Sequence, residues 1–284
     1  MHHWIIDASR GSASLSAADA TRVVASIGSE ERTALAAAIL EIARRRLDVH
    51  RCTIYGYEGE RSPRLLSGAG SGDAWSVFRT AARYTREFWH HDGIRVAIRE
   101  RQPSIPACSR RAPPARLLLQ RQRSIEIDHP DYRAACYESQ HVAERATVVA
   151  RTSRDCWVAT HLYRATSAPG FSAAEIEAFE GLAPLFAACA VQHYAADVDG
   201  EAAYRGTVSE DIGALCPDLT VREREVLLRL LDGLTTERIA ADLDIRPTTV
   251  VTYRTRAYEK IGVRSRRELF ARVLKRHGQA PIAS

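Results

Sequence analysis

The chain has 284 residues, 45% of them apolar, and 40 Lys and Arg against 35 Asp and Glu give a net charge of +5. That length fits two domains, and the apolar fraction is ample for hydrophobic cores. The opening Met1-His-His-Trp-Ile-Ile-Asp7 has no basic region ahead of an apolar run, and the longest apolar stretch, around residues 183–191, is too short to span a bilayer. No export signal and no membrane segment are read, and a cytoplasmic location is expected.

In chain order, Ser16-Ala-Ala-Asp19 starts a helix running toward Ile27. Ser29 then opens a longer amphipathic helix, with Leu35, Ile39, Leu40, Ile42 and Ala43 on its apolar side, ending near Asp48. Residues 51–57 alternate as a strand does. Gly56 to Gly59 with Pro63 turn the chain toward Leu65 and Leu66, which predicts a hairpin. Residues 68–72 read as a loop. A helix is expected over 73–89, carrying Trp75, Phe78, Tyr84, Phe88 and Trp89, with Asp92-Gly93 as the turn after it. Residues 100–116 hold four of the eleven prolines and read as an exposed loop. Residues 117–122 and 132–139 read as short helices. Residues 145–151 and 157–163 are the strongest strand patterns, joined by Ser153-Arg-Asp155 as a tight hairpin. Phe171-Ser-Ala-Ala-Glu175 is a capping box with an apolar residue ahead of it, so a helix runs from there to near Tyr194. Residues 195–212 are polar and Gly-bearing, a linker.

This is an α+β order. On that order, and on Gly170-Phe-Ser-Ala-Ala-Glu175 following a hairpin, residues 1–195 resemble a sensor domain of the GAF or PAS type. The resemblance implies an antiparallel sheet with helices on its faces, a small molecule bound between them, and a role in dimerisation. Trp157, His161 and Tyr163 alternate onto one face of the last strand, and Val158, Thr160 and Leu162 onto the other. The aromatic face, with Tyr84 or Trp89 opposite, is the candidate ligand site. Residues 84–93 faintly resemble the aromatic-Asp-Pro segment of acyl-homoserine lactone receptors, but Gly93 stands in place of Pro and the downstream Trp is absent.

His90-His91-Asp92 reads as surface or cap, because adjacent helical histidines point about 100° apart. No metal or cofactor is expected. The cysteines at 52, 108, 136, 156, 189 and 216 form no Cys-x-x-Cys pair and are expected as reduced thiols, with Cys156 packed rather than reactive. No nucleophile–base pair, phosphate loop or supported carboxylate pair points to an enzyme.

The C-terminal stretch, residues 213–284, is read as four helices. Thr220-Val-Arg-Glu223 is a capping box, and Gly233 ends the helix it starts. A short helix opens at Thr235 or Thr236 and buries Ile239, Ala240 and Leu243; Asp244 fills the turn. Pro247 begins the third helix, with Val250, Ala257 and Ile261 as its buried stripe. A fourth helix follows Gly262, opened by Ser265-Arg-Arg-Glu268. Leu219-Thr-Val-Arg-Glu-Arg-Glu-Val-Leu227, Gly233-Leu-Thr-Thr-Glu-Arg-Ile-Ala240, Ile245-Arg-Pro-Thr-Thr-Val250 and Glu259-Lys-Ile-Gly-Val-Arg-Ser-Arg-Arg-Glu-Leu269 closely resemble the C-terminal domain of LuxR-type transcriptional regulators. The match covers roughly 60 residues, in four segments in order. It implies a helix-turn-helix whose third helix enters the major groove of double-stranded DNA and whose fourth helix pairs two copies.

Three departures stand out. Arg246 replaces a capping Ser, Val251 a common Lys, and Asp244 a common Gly. Residues 213–276 hold 14 basic against 9 acidic residues, while the rest of the chain balances 26 against 26, so the excess positive charge lies in this segment. Candidate DNA contacts are Thr235, Thr236, Thr248, Thr249, Val251, Thr252, Arg254, Thr255, Arg256 and Lys260. Of these, Thr248, Val251, Thr252 and Thr255 are assigned to base edges; Arg254, Arg256, Lys260 and Thr235 or Thr236 are assigned to phosphates or to supporting the helix. The expected partners are DNA, a small-molecule effector, a second copy of the chain and RNA polymerase. A ligand-free dimerisation or docking module, or a thiol redox sensor, are the alternatives for the N-terminal domain.

Overall fold

The alternating stretches fold into one antiparallel sheet in a computed structural model, which describes residues 1–10, 16–71, 74–108, 114–153 and 155–277. Its strands are β1 (His2–Asp7), β2 (Arg51–Glu58), β3 (Arg64–Gly70), β4 (Arg116–Arg123), β5 (Val142–Arg151) and β6 (Cys156–Ala165), in the order β1-β4-β5-β6-β2-β3. The chain divides into two compact units, Met1–Asp197 and Val198–Ser284.

Period two decides what each face of the sheet meets. Cys52, Ile54, Leu117, Leu119, Ala146, Val148, Ala150, Val158 and Leu162 point to one side. There they pack on α1 (Ala17–Ser26), α2 (Ala34–Arg44) and the first half of α6 (Ala173–Leu215), which contributes Phe179, Leu182, Ala183 and Phe186. Full burial of each large aliphatic side chain here stabilises by about 1.5–3 kcal/mol. The other face carries Tyr55, Tyr57, Leu118, Val149, Trp157 and Ala159, covered by α3 (Ala74–Arg83), α4 (Gly93–Arg101) and α5 (Pro130–Cys136).

Ser16 caps α1 by accepting from Asp19 N at 3.1 Å. Ser172 and Glu175 form the reciprocal cap of α6, with Ser172 N donating to Glu175 at 2.9 Å. Arg154 of the expected hairpin turn, residues 109–113 of the proline-bearing loop, and Gly72 and Asp73 lie outside the described residues.

Several expectations are corrected. Residues 117–122 are the strand β4, not a helix. Leu, Gln and Arg favour helix by propensity, but the segment lies between β1 and β5, and its backbone groups pair on both sides. The N-terminal stretch, assigned no element, is the edge strand β1. β3 continues to Gly70 through the expected loop. Its glycines let α3 approach, since a Cβ at Gly68 would stand 2.9 Å from Val77. α2 begins at Ala34, not at Ser29. The helix after Arg83 tightens into a π-turn over Tyr84–Phe88 and a 3-10 turn over Trp89–His91. Asp92 is then not a plain turn residue; it caps the unforeseen α4, accepting from Ile94 N at 3.1 Å. α6 does not stop near Tyr194 but runs on to Leu215, through the stretch read as a linker. Polar composition does not end a helix already nucleated.

In the second unit, α7 (Val221–Leu231), α8 (Thr236–Leu243), α9 (Pro247–Ile261) and α10 (Arg266–His277) share a core of Val226, Leu227, Ile239, Val250, Ala257, Ile261 and Leu269. Thr220 and Glu223 make the expected reciprocal cap. Asp244 takes a left-handed φ of 53° between α8 and α9, and Gly262 one of 72° after α9.

Candidate functional site

α9 begins without a side-chain cap. Arg246 occupies that position and makes no capping bond, so the fixed φ of Pro247 has to set the start. Thr248, Val251, Thr252, Thr255, Arg256 and Glu259 are exposed, whereas Thr249 and Arg254 are half-buried. Val251 is 40% exposed, an apolar side chain in solvent amid hydroxyls. Thr252 donates its hydroxyl proton to Thr248 O at 3.0 Å, so toward a base edge it offers its oxygen as an acceptor. Arg254 and Thr255 border a groove shared with Arg264 and Arg266 near the start of α10. Thr235 caps α8 by accepting from Arg238 N, and Thr236 is its first residue. Lys260 is engaged inside the domain: its ammonium donates to Asp218 O at 3.1 Å and to the buried Glu223 at 2.7 Å, tying α9 to the start of α7. Burial works to raise the Glu223 carboxyl, but Lys260 and the Thr220 groups hold it below the ordinary range.

The polar face of the sheet builds the other site. Tyr84, His161 and Tyr163 meet there around a cavity of about 30 Å³, also lined by Arg51, Tyr55, Tyr132, Tyr137 and Arg145. That volume is close to a single water molecule's share of the liquid. Arg145 and Asp92 are fully buried and form a bidentate pair at 2.8 and 2.6 Å, and Arg145 also donates to Gln120 and Gln122. Tyr84 donates to Asp92 at 3.0 Å; its hydroxyl also lies 3.3 Å from that of Tyr57. Tyr57 in turn reaches His161 Nε2 at 3.3 Å, and His161 Nδ1 meets Thr147 at 2.9 Å.

Burial pushes His161 down to about 3, reinforced by Arg145, so the ring is neutral at ordinary pH. Burial alone would raise Asp92; Arg145 and the bonds it receives hold it well below the carboxylate range. The phenols of Tyr55, Tyr57, Tyr84, Tyr132, Tyr137 and Tyr163 are raised by burial and stay protonated.

The structure thus brings together three of the five predicted ligand residues. Trp157 lines a different hollow of about 120 Å³, with Glu60, Arg95, Arg99 and Asp155. Trp89 lies under Arg95, whose guanidinium sits 4.3 Å from its ring centre. Sequence reasoning missed Arg51, Arg145, Gln120 and Gln122. The available signal was a charged or amide side chain at an inward position of an otherwise apolar strand.

Residues 217–273 match the family described as bacterial regulatory proteins, luxR family. A probable transcriptional regulatory protein NarL of Mycobacterium tuberculosis is 39% identical over 70 residues, which is 25% of this chain and 32% of that protein. The transcriptional regulatory protein DesR of Bacillus subtilis is 36% identical over 75 residues, 26% of this chain and 38% of that one. The match therefore spans about a third of these relatives' length. Among solved structures, the VqsR LBD domain of Pseudomonas aeruginosa aligns over 62% of this chain and 94% of its own, at 13% identity and a TM-score of 0.44. An N-acylhomoserine lactone dependent factor, CepR2 of Burkholderia cenocepacia, aligns over 64% and 94%, at 15% identity and a TM-score of 0.36.

Proposed function

We propose, taking residues 217–273 as a LuxR-family helix-turn-helix domain, that the whole chain is a sequence-specific DNA-binding transcriptional regulator whose N-terminal unit senses a small molecule. The DNA-binding part rests on one observation: the exposed strip Thr248, Val251, Thr252 and Thr255 on α9, with Arg254 and Arg256 beside it. Small hydroxyl and methyl groups suit base edges, and Val251 suits a thymine methyl; the arginines suit phosphates. Thr235 and Thr236, at the start of α8, suit the backbone too, since a helix N-terminus favours an anion.

Two copies would place their recognition helices about 34 Å apart, one turn of DNA. Residues 213–284 alone should bind weakly and the full chain more tightly. A footprint of the full chain on a single unpaired half-site would overturn this reading.

The sensing part rests on the cavity joining Tyr84, His161 and Tyr163, where polar tips converge among apolar walls. Mass spectrometry under native conditions tests it through retention of a small molecule. The small volume favours a second reading, a ligand-free dimerisation or docking module, and absence of any bound or added ligand in that assay would select it. The redox alternative is weakened by burial, which pushes the thiols of Cys136 and Cys189 up to about 12 and about 11 and keeps them protonated. Nothing in this mechanism calls for catalysis; the effector response acts on DNA and, through it, on RNA polymerase.

A further inference from the structure

We infer that the cavity beside Tyr163 takes a small carboxylate, a ligand recognised as an anion that accepts hydrogen bonds; this rests on the sensor reading of that cavity. Tyr163 of β6 lies opposite Arg51 of β2 on one side and Arg145 of β5 on the other, and all three line the space. Strands about 4.8 Å apart put the two arginine backbones about 10 Å from one another. Arg145 is matched by Asp92. Arg51 is 8% exposed, and the only hydrogen bond of its guanidinium among the described residues runs to Gln140 Oε1 at 3.2 Å, with no carboxylate paired to it. The Nε atoms of both arginines and the Tyr137 hydroxyl are buried without a hydrogen-bond partner.

A guanidinium stays charged in such a place. Two cations and one anion leave the cavity one positive charge in excess, enclosed by tyrosines. An unmatched buried cation is an unfavourable state that a bound anion relieves.

The hydrogen-bonding capacity points the same way. Asp92 Oδ1 accepts from Arg145 and Ile94 N, and Oδ2 from Arg145 and Tyr84. Both oxygens are then saturated. A ligand N–H finds no free acceptor on Asp92, whereas a ligand oxygen finds Arg51 Nε, Arg145 Nε and Tyr137 as donors. Arg51 can take a carboxylate with two parallel bonds. At about 30 Å³ the cavity holds about one water, so a carboxylate enters only as wall side chains shift, and Val77, Ala81 and Cys136 in the wall suit a short apolar tail.

The test uses the full chain and isothermal titration at constant ionic strength, with acetate, propionate, butyrate and benzoate against the matching amides. The best carboxylate should bind roughly tenfold or more tighter than its amide. Arg51→Gln should abolish that preference and Arg51→Lys should keep it. Equal binding of acid and amide, a preference unchanged in Arg51→Gln, or one lost in Arg51→Lys overturns the inference. Should Arg51→Gln fail to fold, the acid-against-amide comparison in the parent still decides. If only uncharged compounds bind, and His161→Ala removes them, the carboxylate inference falls and the sensor reading stands. If no small molecule binds, both fall.

Discussion

Replacing Asp92 by Asn isolates the charge at the centre of the sensor unit. Asn keeps the shape and can still cap α4, so the loss is the negative charge facing Arg145. The Arg145 and Asp92 side chains are 3% and 0% exposed. Removing the charge of one partner leaves a buried guanidinium facing only neutral amide oxygens, those of Gln120, Gln122 and the new Asn, which costs about 3–5 kcal/mol. For a unit of this size each kcal/mol moves Tm by about 2–4 °C, so a fall of about 6–20 °C is expected. A thermal melt followed by circular dichroism measures the fall in Tm, and urea unfolding followed by tryptophan fluorescence measures the free energy. The second arm is Arg145→Gln combined with Asp92→Asn. Removing both charges should cost less than the sum of the single changes, a coupling of at least about 1 kcal/mol. A single-variant loss below about 1 kcal/mol, or strict additivity, would refute the claim that this pair is energetically coupled in the core.

Other outcomes can be checked alongside. Because folded His161 protonates at about 3 and an unfolded histidine near 6.5, the unfolded state binds more protons between those values, and stability falls as pH drops through that window. The deficit should reach about 2 kcal/mol by pH 5, and His161→Gln should flatten that part of the curve; parallel curves for both proteins count against it. Val251→Lys should change the preferred base at one position per half-site, read by binding-site selection, and an unaltered consensus would mean α9 faces DNA differently. Arg256→Ala should weaken binding to all sequences and lower the salt slope by about 1 with Tm unchanged, whereas Lys260→Ala should cost about 1–2 kcal/mol of folding stability, since its ammonium bonds the buried Glu223. Asp244→Gly should stabilise the second unit by a few tenths to about 1 kcal/mol, because the position has φ of 53°.

The second unit was legible because its signals are local. A cap at Thr220, a stop at Gly233, Pro247 at a helix start and the 3.6-residue stripe of Val250, Ala257 and Ile261 each act within a few residues. The central strands and the α6 cap were legible for the same reason. β4 and β1 were not, because their pairing depends on strands far along the chain, and local propensity carries no trace of them. His161 and Tyr163 were put on one face by alternation, and Tyr84 was set opposite them as an aromatic of a helix. Arg51 and Arg145 were passed over because a basic residue in a strand reads as solvent-facing until the sheet is seen to be covered on both sides. Trp157 was grouped with His161 and Tyr163 because period two gives a face, not a position along it, and Trp89 was set opposite from its helix with no register to fix it.

The row Arg51–Tyr163–Arg145–Gln122 also constrains which alignments of the strands can survive. Over residues 145–150 of β5 and 157–163 of β6, odd-numbered residues face the tyrosine-rich side, and even-numbered ones face the aliphatic core. Sliding either strand by one residue would exchange the two sets. Arg145 would enter a compartment walled by Leu35, Ile39 and Phe186, and Leu162 would sit among phenols and ions. A purely apolar strand could tolerate such a slip with little loss. Here the misaligned sheet would bury a charge without a partner, so the ionic row acts as a proofreading element in assembly, and chains lacking it should refold with more misaligned, aggregation-prone species.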